Sequence, residues 1–387
     1  MRVVVATSLG GSGHLEPIAA VGRQLAVAGH DVSLLVPPAL EASAKDSGLD
    51  VHVGDEPSRD IVIRYREHLD GGGAADPGLI DRELFAGHCT RAMLSAASEL
   101  FERARPELVL REPCEYASAI AAIRARIPFG TIAISQASIE DGVLAMAAPV
   151  LDGFEEGTAK AIAAAPYLTA FPASLDPSPF TTTVRYRVAA SSGTALPPWG
   201  GDAAAPLVYA TFGSVVGHTA LAVPVLRAAL EALGTLPVRA LLTVGRAVDP
   251  ASLGEVPHNV RVERWVPQDS VLAECAVVVC HGGSGTTYGA LAAGVPVVVC
   301  PLYADNLRNG ATVARAGVGL LVAPRGGATS WASAPGELGP SLRAAVLAAL
   351  ADSSLRDAAR VVGVELGSYP LADVAVASVE WSPRPGP

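Results

Sequence analysis

The stretch His281–Thr287, HGGSGTT, puts a histidine, three glycines and three hydroxyl side chains side by side. Set between a strand and a helix, such a run can bind an anion with neither a metal nor a lysine. Backbone N–H groups at a helix N-terminus lack intrahelical partners, and the helix dipole is positive there. Glycines let a bulky anion approach the backbone. Ser284, Thr286 and Thr287 add hydroxyl donors, and His281 adds one N–H, or a positive charge when protonated. The competing reading is a tight turn with Ser or Thr as helix cap. That accounts for Ser284 and one glycine, but not for paired Gly282 and Gly283, Gly285 and the histidine. A second candidate, His14, follows the glycine turn SLGGSG after an apolar run. An imidazole with an ordinary pKa of about 6.5 suits a general base near neutral pH. A helix-capping or solvated histidine is the alternative there.

Other chemistries fit less well. A dinucleotide fingerprint wants G-x-G-x-x-G after the first strand and an acid closing the second. Here GGSGHLEP has Glu16 at the third glycine position, LLVPP ends without an acid, and GGSGTTYG has its last glycine one residue late. No G-x-x-x-x-G-K-[ST] occurs, and no Asp-x-Asp pair for a metal-bound diphosphate. Only Lys45 and Lys160 could form a Schiff base, and neither lies in a glycine-rich or polar cluster. The cysteines Cys89, Cys114, Cys275, Cys280 and Cys300 form no CxxC and read as buried reduced thiols of a cytoplasmic protein. No metal site and no cofactor are expected.

Elements of alternating type must position these residues. RVVVAT is a first strand, HLEPIAAVGRQLAVAG a helix ending at Gly29, and HDVSLLVPP a second strand. ELVLRE and IPFGTIAIS are strands with a helix over Tyr116–Ala125 between them. Gly54–Gly78 and Ala137–Ala165 fit the alternation poorly and read as insertions at a substrate site. After the Pro- and Gly-rich Ala189–Pro206 the alternation restarts. LVYAT, VRALLTVG, NVRVERWVP, AVVVC, VPVVVC and VGLLV are strands, with helices near Thr219–Leu233, Asp269–Glu274, Ser284–Ala293 and Asp305–Ala316. This predicts two parallel-sheet α/β domains: 1–190, a linker 191–206, 207–365, and a tail 366–387 crossing back to the first. A ligand cleft is expected between the two domains.

Composition sets outer limits. A chain of 387 residues is too long for one ordinary core. Its formal charge of -10 argues against non-specific nucleic-acid binding. No Asp, Glu, Lys or Arg lies between Cys275 and Ala304, and the mean hydropathy is +0.37. Yet Gly, Ser, Thr, His and Pro interrupt that segment, and its Val-rich runs have the length of strands buried on both faces. No membrane partner is expected, and MRVVVATSLGG reads as a strand and turn, not a secretory leader.

RWVPQ (Arg264–Gln268) and HGGSGTTYGALAAGVPVVVCPLYADN (His281–Asn306) together resemble the donor-binding signature of the family 1 nucleotide-sugar glycosyltransferases. GSGHLEPIAAVGRQLAVAGHDV (Gly11–Val32) resembles their first loop and helix, so the likeness reaches both halves. The details are most similar to actinobacterial enzymes that attach deoxysugars to antibiotics. The resemblance implies the GT-B fold, two Rossmann-like domains facing each other across a cleft, with an inverting, metal-independent transfer. It implies a dTDP- or UDP-sugar donor and a small apolar aglycone acceptor, and it allows a homodimer. Trp265 would stack on the base, with Val266 and Gln268 beside it. His281, Gly283, Ser284, Gly285 and Thr286 would hold the diphosphate, faced by Gly213 and Ser214. Asp305 and Asn306 would reach the sugar; many relatives have Gln where Asn306 is one methylene shorter. His14 would be the base and Glu112 its carboxylate partner, with Glu115 second, where relatives more often carry Asp. Two rivals stand beside this reading: a sugar-nucleotide epimerase of the same fold, and a non-catalytic binding partner.

Overall fold

Short Val- and Leu-rich runs pair side by side in parallel and form two sheets. The structure, a computed structural model, describes residues 1–70, 78–189, 202, 204–213, 222–303, 305–324, 330–331 and 334–382, with the side chains of 66–70 excepted. It divides into two units, Met1–Ala189 with Tyr369–Pro387, and Ala190–Ser368. The expected linker lies largely outside the described residues, as does Ser214.

The first unit holds β1 (Arg2–Ala6), β2 (Asp31–Val36), β3 (Asp50–Val53), β4 (Leu108–Arg111), β5 (Phe129–Ile132), β6 (Tyr167–Thr169) and β7 (Thr183–Arg185). Their order is β3-β2-β1-β4-β5-β6-β7, all parallel. Its helices are α1 (Ser12–Val27), α2 (Glu41–Lys45), α3 (Arg59–Asp70), α4 (Thr90–Ala104), α5 (Ala117–Ala125), α6 (Ala137–Leu151) and α7 (Thr158–Ala164). A π-helical segment, Leu79–Cys89, runs into α4. Side chains alternate across a strand, so Val3 and Val5 join the core with Leu15, Ile18 and Leu25 of α1, while Val4 and Ala6 join Leu100, Phe101, Leu144 and Leu151 on the other face. Burial on both faces explains why β1 and β4 read as continuous apolar runs.

One expectation changes here. Ala137–Ala165 is not an insertion: α6 and α7 form the crossover from β5 to β6 and bury Leu144, Ala147, Leu151, Ala159 and Ile162. Gly54–Gly78 contains α3, followed by residues 71–77, which lie outside the described set. The tail joins the first unit: Arg187 donates its backbone N–H to the Pro370 carbonyl at 2.9 Å, and Gln24 Nε2 donates to Asp373 Oδ1 at 2.9 Å.

The second unit holds β8 (Leu207–Thr211), β9 (Arg239–Thr243), β10 (Val260–Glu263), β11 (Cys275–Cys280), β12 (Val297–Val299) and β13 (Gly319–Leu321). The order is β10-β9-β8-β11-β12-β13, again all parallel. Its helices are α8 (Ala222–Gly234), α9 (Gln268–Leu272), α10 (Ser284–Ala292), α11 (Asn306–Arg315), α12 (Leu338–Ala351) and α13 (Ser353–Ser368); α14 (Ala372–Ala377) belongs to the first unit. The uncharged segment is thus β11, α10 and β12. Among the described residues no helix is long and apolar enough to cross a membrane.

Within each unit the strand order reverses at one place, between β1 and β4 and between β8 and β11. Loops diverge there, and ligands of open parallel sheets bind outside the carboxyl ends of those strands.

Candidate active site

In the first unit, β1 and β4 are in register with Ala6 beside Arg111, which sets the loops after them next to each other. Glu112 follows β4 directly and is fully buried. Its Oε1 accepts the Ser8 N–H at 3.0 Å, and its Oε2 accepts the Cys114 N–H at 2.6 Å. His14, in the first turn of α1, brings its Nδ1 to 3.3 Å from Glu112 Oε1. The ring stacks on Phe85 of the π-helical segment, centroids 5.6 Å apart. A Cβ on Gly10 would lie 2.3 Å from His14 Cδ2, so a glycine there makes room for the imidazole. Burial opposes the Glu112 charge, but His14 and the Cys114 and Ser8 N–H groups outweigh it and hold the carboxyl below its usual range. Glu112 is therefore a carboxylate at neutral pH, placed to fix the His14 ring and to stabilise an imidazolium.

Glu115, the second candidate, does something else. Its Oε1 accepts the Ser118 N–H at 3.0 Å and so caps the start of α5. Arg111 ties the loop together, its Nη1 donating to the carbonyls of Glu112 at 2.6 Å and Glu115 at 2.8 Å.

In the second unit, Thr211 at the end of β8 pairs beside Cys280 at the end of β11. His281 and Gly213 follow and meet. A Cβ on Gly213 would lie 2.7 Å from His281 Cε1, and one on Gly283 would lie 2.5 Å from Nε2. These two glycines accommodate the histidine ring, a reason the sequence reading did not foresee. A Cβ on Gly285 would meet nothing within 4 Å, so an anion can approach the backbone there. Gly283 is the N-cap of α10, whose first turn carries Ser284, Gly285 and Thr286. Gln268 Nε2 donates to Thr286 Oγ1 at 3.0 Å and steadies that turn. Ser284 Oγ donates to Asp305 Oδ2 at 3.1 Å. Trp265 is 57% exposed, with the Arg246 guanidinium over its ring at 5.3 Å, while the next residue, Val266, is buried.

Asn306 is buried, and its Oδ1 accepts the Tyr303 N–H at 3.1 Å in the loop after β12. Asp305 is partly exposed. Asn309 was not foreseen at all. Its buried Nδ2 donates to Gly282 O at 2.8 Å, Asp305 Oδ2 at 3.0 Å and Ser284 Oγ at 3.1 Å, tying α11 to the glycine loop. The signal was present in DNLRN: residues four apart share a helix face, which sets Asn309 over Asp305.

Residues 227–380 match the family described as erythromycin biosynthesis protein CIII-like, C-terminal domain. The L-demethylnoviosyl transferase of Streptomyces niveus is 32% identical over 83% of this chain and 84% of that protein. The chain belongs to the family 1 glycosyltransferases. The tylactone mycaminosyltransferase of Streptomyces fradiae is 28% identical over 98% of this chain and 92% of its own length. Among solved structures, the spinosyn rhamnosyltransferase SpnG complexed with thymidine diphosphate aligns with a TM-score of 0.78 at 24% identity, over 98% of this chain and 99% of that one. The glycosyltransferase has the GT-B fold.

Two titrations in this glycosyltransferase give predictions. Burial lowers the His281 pKa to about 4, opposed in part by the Thr211 backbone. His281 is then neutral at physiological pH. The ratio of dTDP affinities, wild type over His281→Ala, should be the same at about pH 5.5 and about pH 8 by calorimetry. A ratio that grows at the acidic pH would show a charged His281. The second group is Glu140 of α6, which accepts the Ile134 and Ser135 N–H groups at 2.8 and 2.7 Å and the Tyr167 hydroxyl at 2.7 Å. Burial, only partly offset by these bonds, raises its carboxyl to about 8. An unfolded glutamate ionises near about 4.3, so the group's contribution to stability is present below that pH and lost as pH rises towards about 8. Glutamine at 140 keeps the hydrogen-bonding shape, so Glu140→Gln should flatten the fall of Tm between pH of about 5 and about 8. An unchanged slope would place the titration elsewhere.

Proposed function

We propose that the enzyme transfers a deoxysugar from an NDP-sugar, dTDP-linked, to a hydroxyl of an apolar natural-product aglycone such as a polyketide, with inversion and without a metal. The observation that carries the reading is the His14–Glu112 pair at the carboxyl ends of β1 and β4. With Nδ1 towards Glu112, the other ring nitrogen, Nε2, takes the acceptor proton as the hydroxyl oxygen attacks the anomeric carbon. The bond from that carbon to the diphosphate breaks, and dTDP leaves with the electron pair. The N-terminus of α10, with the hydroxyl of Thr286, meets the developing charge, while the Ser284 hydroxyl donates to Asp305.

Donor binding is assigned to the second unit. The exposed Trp265 ring stacks on the base, a contact worth about 1–3 kcal/mol. Of Asp305 and Asn306, Asp305 is the one able to meet a sugar hydroxyl, since Asn306 is buried. The thymidine diphosphate in the SpnG complex supports a dTDP donor, and the names of the two relatives support a sugar transfer over epimerisation or a non-catalytic role. Cytoplasmic location and any homodimer belong to the same proposal. The test is a mass-spectrometric screen of dTDP- and UDP-sugars against polyketide and related aglycones. A product heavier by one glycosyl unit, formed from dTDP-sugars, is the expected result. Isomerised nucleotide sugar formed without an acceptor would overturn it.

A further inference from the structure

Cys114 is the one cysteine that is only partly buried; the other four are buried. It lies two residues past Glu112, across Pro113, in the loop that Arg111 clasps. One ligand-type atom from each of His14, Glu112 and Cys114 lies within 4.8 Å of the other two. We infer that these three side chains form a site for a soft divalent cation of the Zn2+ class, and that its occupancy shuts the enzyme off.

The separation of Nδ1 and Oε1 fits this. Zn–N and Zn–O bonds of about 2.0–2.2 Å at a tetrahedral angle put nitrogen and oxygen about 3.3 Å apart. His14 Nδ1 and Glu112 Oε1 are 3.3 Å apart, so both can bind one ion without separating. A sulfur ligand favours zinc over magnesium or calcium, and a coordinating thiol gives up its proton to solvent. The supporting bonds are already formed. Ser8 and Cys114 N–H groups orient the Glu112 carboxylate, and Phe85 holds the His14 ring. Glu112 is buried while the His14 side chain is 22% exposed and Cys114 is partly buried, so the cluster reaches solvent on the side of His14 and Cys114.

Inhibition follows from the ring's single proton. A neutral imidazole bound to metal through Nδ1 carries its N–H on Nε2. That atom then has no lone pair for the acceptor proton. The blocking half of the inference rests on His14 being the base, whereas the binding half does not.

Co2+ titration reads the site directly, because a cobalt–thiolate bond gives a charge-transfer absorption. The wild type should show the band, and Zn2+ should abolish it by displacement. Cys114→Ser should lose the band and raise the Zn2+ inhibition constant about tenfold or more. Cys89→Ser should keep both, and a melting temperature and near-UV circular dichroism spectrum like the wild type's check that each variant is folded. Absence of the band in the wild type, or its persistence in Cys114→Ser, overturns the site. A full band with undiminished sugar transfer overturns the blocking, and faults His14 as the base and not the metal site.

Discussion

Replacing His14 with alanine is expected to slow sugar transfer by about 10²–10⁴-fold while leaving dTDP affinity as it was. The split is the informative part. His14 sits on α1 in the first unit, whereas the residues assigned to the nucleotide are all in the second. A loss of turnover with unchanged dTDP binding is what a proton acceptor requires. Glu112→Gln should fall between wild type and His14→Ala, because glutamine fills the same space but cannot offset an imidazolium. It would also face a backbone N–H with an amide NH2, since each carboxylate oxygen now accepts one. Full turnover in His14→Ala would remove the histidine from the chemistry.

The second large effect concerns two glycines of one loop that should respond in opposite ways. Gly282 has φ +96°, and a Cβ there would lie 2.7 Å from the carbonyl oxygen of Asn306. The left-handed backbone alone costs a side chain about 1–2 kcal/mol, and overpacking adds about 1–3 kcal/mol. Gly282→Ala should therefore cost the fold about 2–5 kcal/mol and lower Tm, and the loop shift that relieves the clash should weaken dTDP binding. Gly285 lies inside α10, and a Cβ there meets nothing. Alanine is the better helix former by about 1 kcal/mol, so Gly285→Ala should hold or raise Tm. Its methyl should still obstruct the diphosphate and weaken dTDP binding. Wild-type affinity in both variants would remove this loop from the donor site.

The two glycines also show how far the residues alone could be read. HGGSGTT was legible as a strand-to-helix turn open to an anion, and β11, α10 and β12 fall where the Val runs and the glycines put them. What the string could not show is what each glycine touches. Gly213 and Gly283 border the His281 ring and Gly282 borders a backbone carbonyl, and only Gly285 is open. Contacts between residues far apart in sequence carry no local pattern.

The same limit explains other gaps. The strands β6 and β7 span three residues each, YLT and TVR, too short for an apolar run, and they exist because their neighbours offer hydrogen bonds. Ala-rich α6 and α7 looked like an insertion because alanine marks no face strongly, yet they cover the sheet. The choice of Glu112 over Glu115 came from a family likeness and became physical only when Ser118 proved to be the partner of Glu115. Asn309 escaped notice because a buried amide that joins two loops looks, in sequence, like any polar residue on a helix.

Incubation with one dTDP-deoxysugar and one polyketide aglycone in the presence of EDTA, with dTDP released measured against glycoside formed, tests metal-free transfer through His14. Equal amounts of both are expected with the wild type, and at least about 10²-fold less of each with His14→Ala. Glycoside formed at the wild-type rate by His14→Ala, or dTDP released with no glycoside, would contradict it.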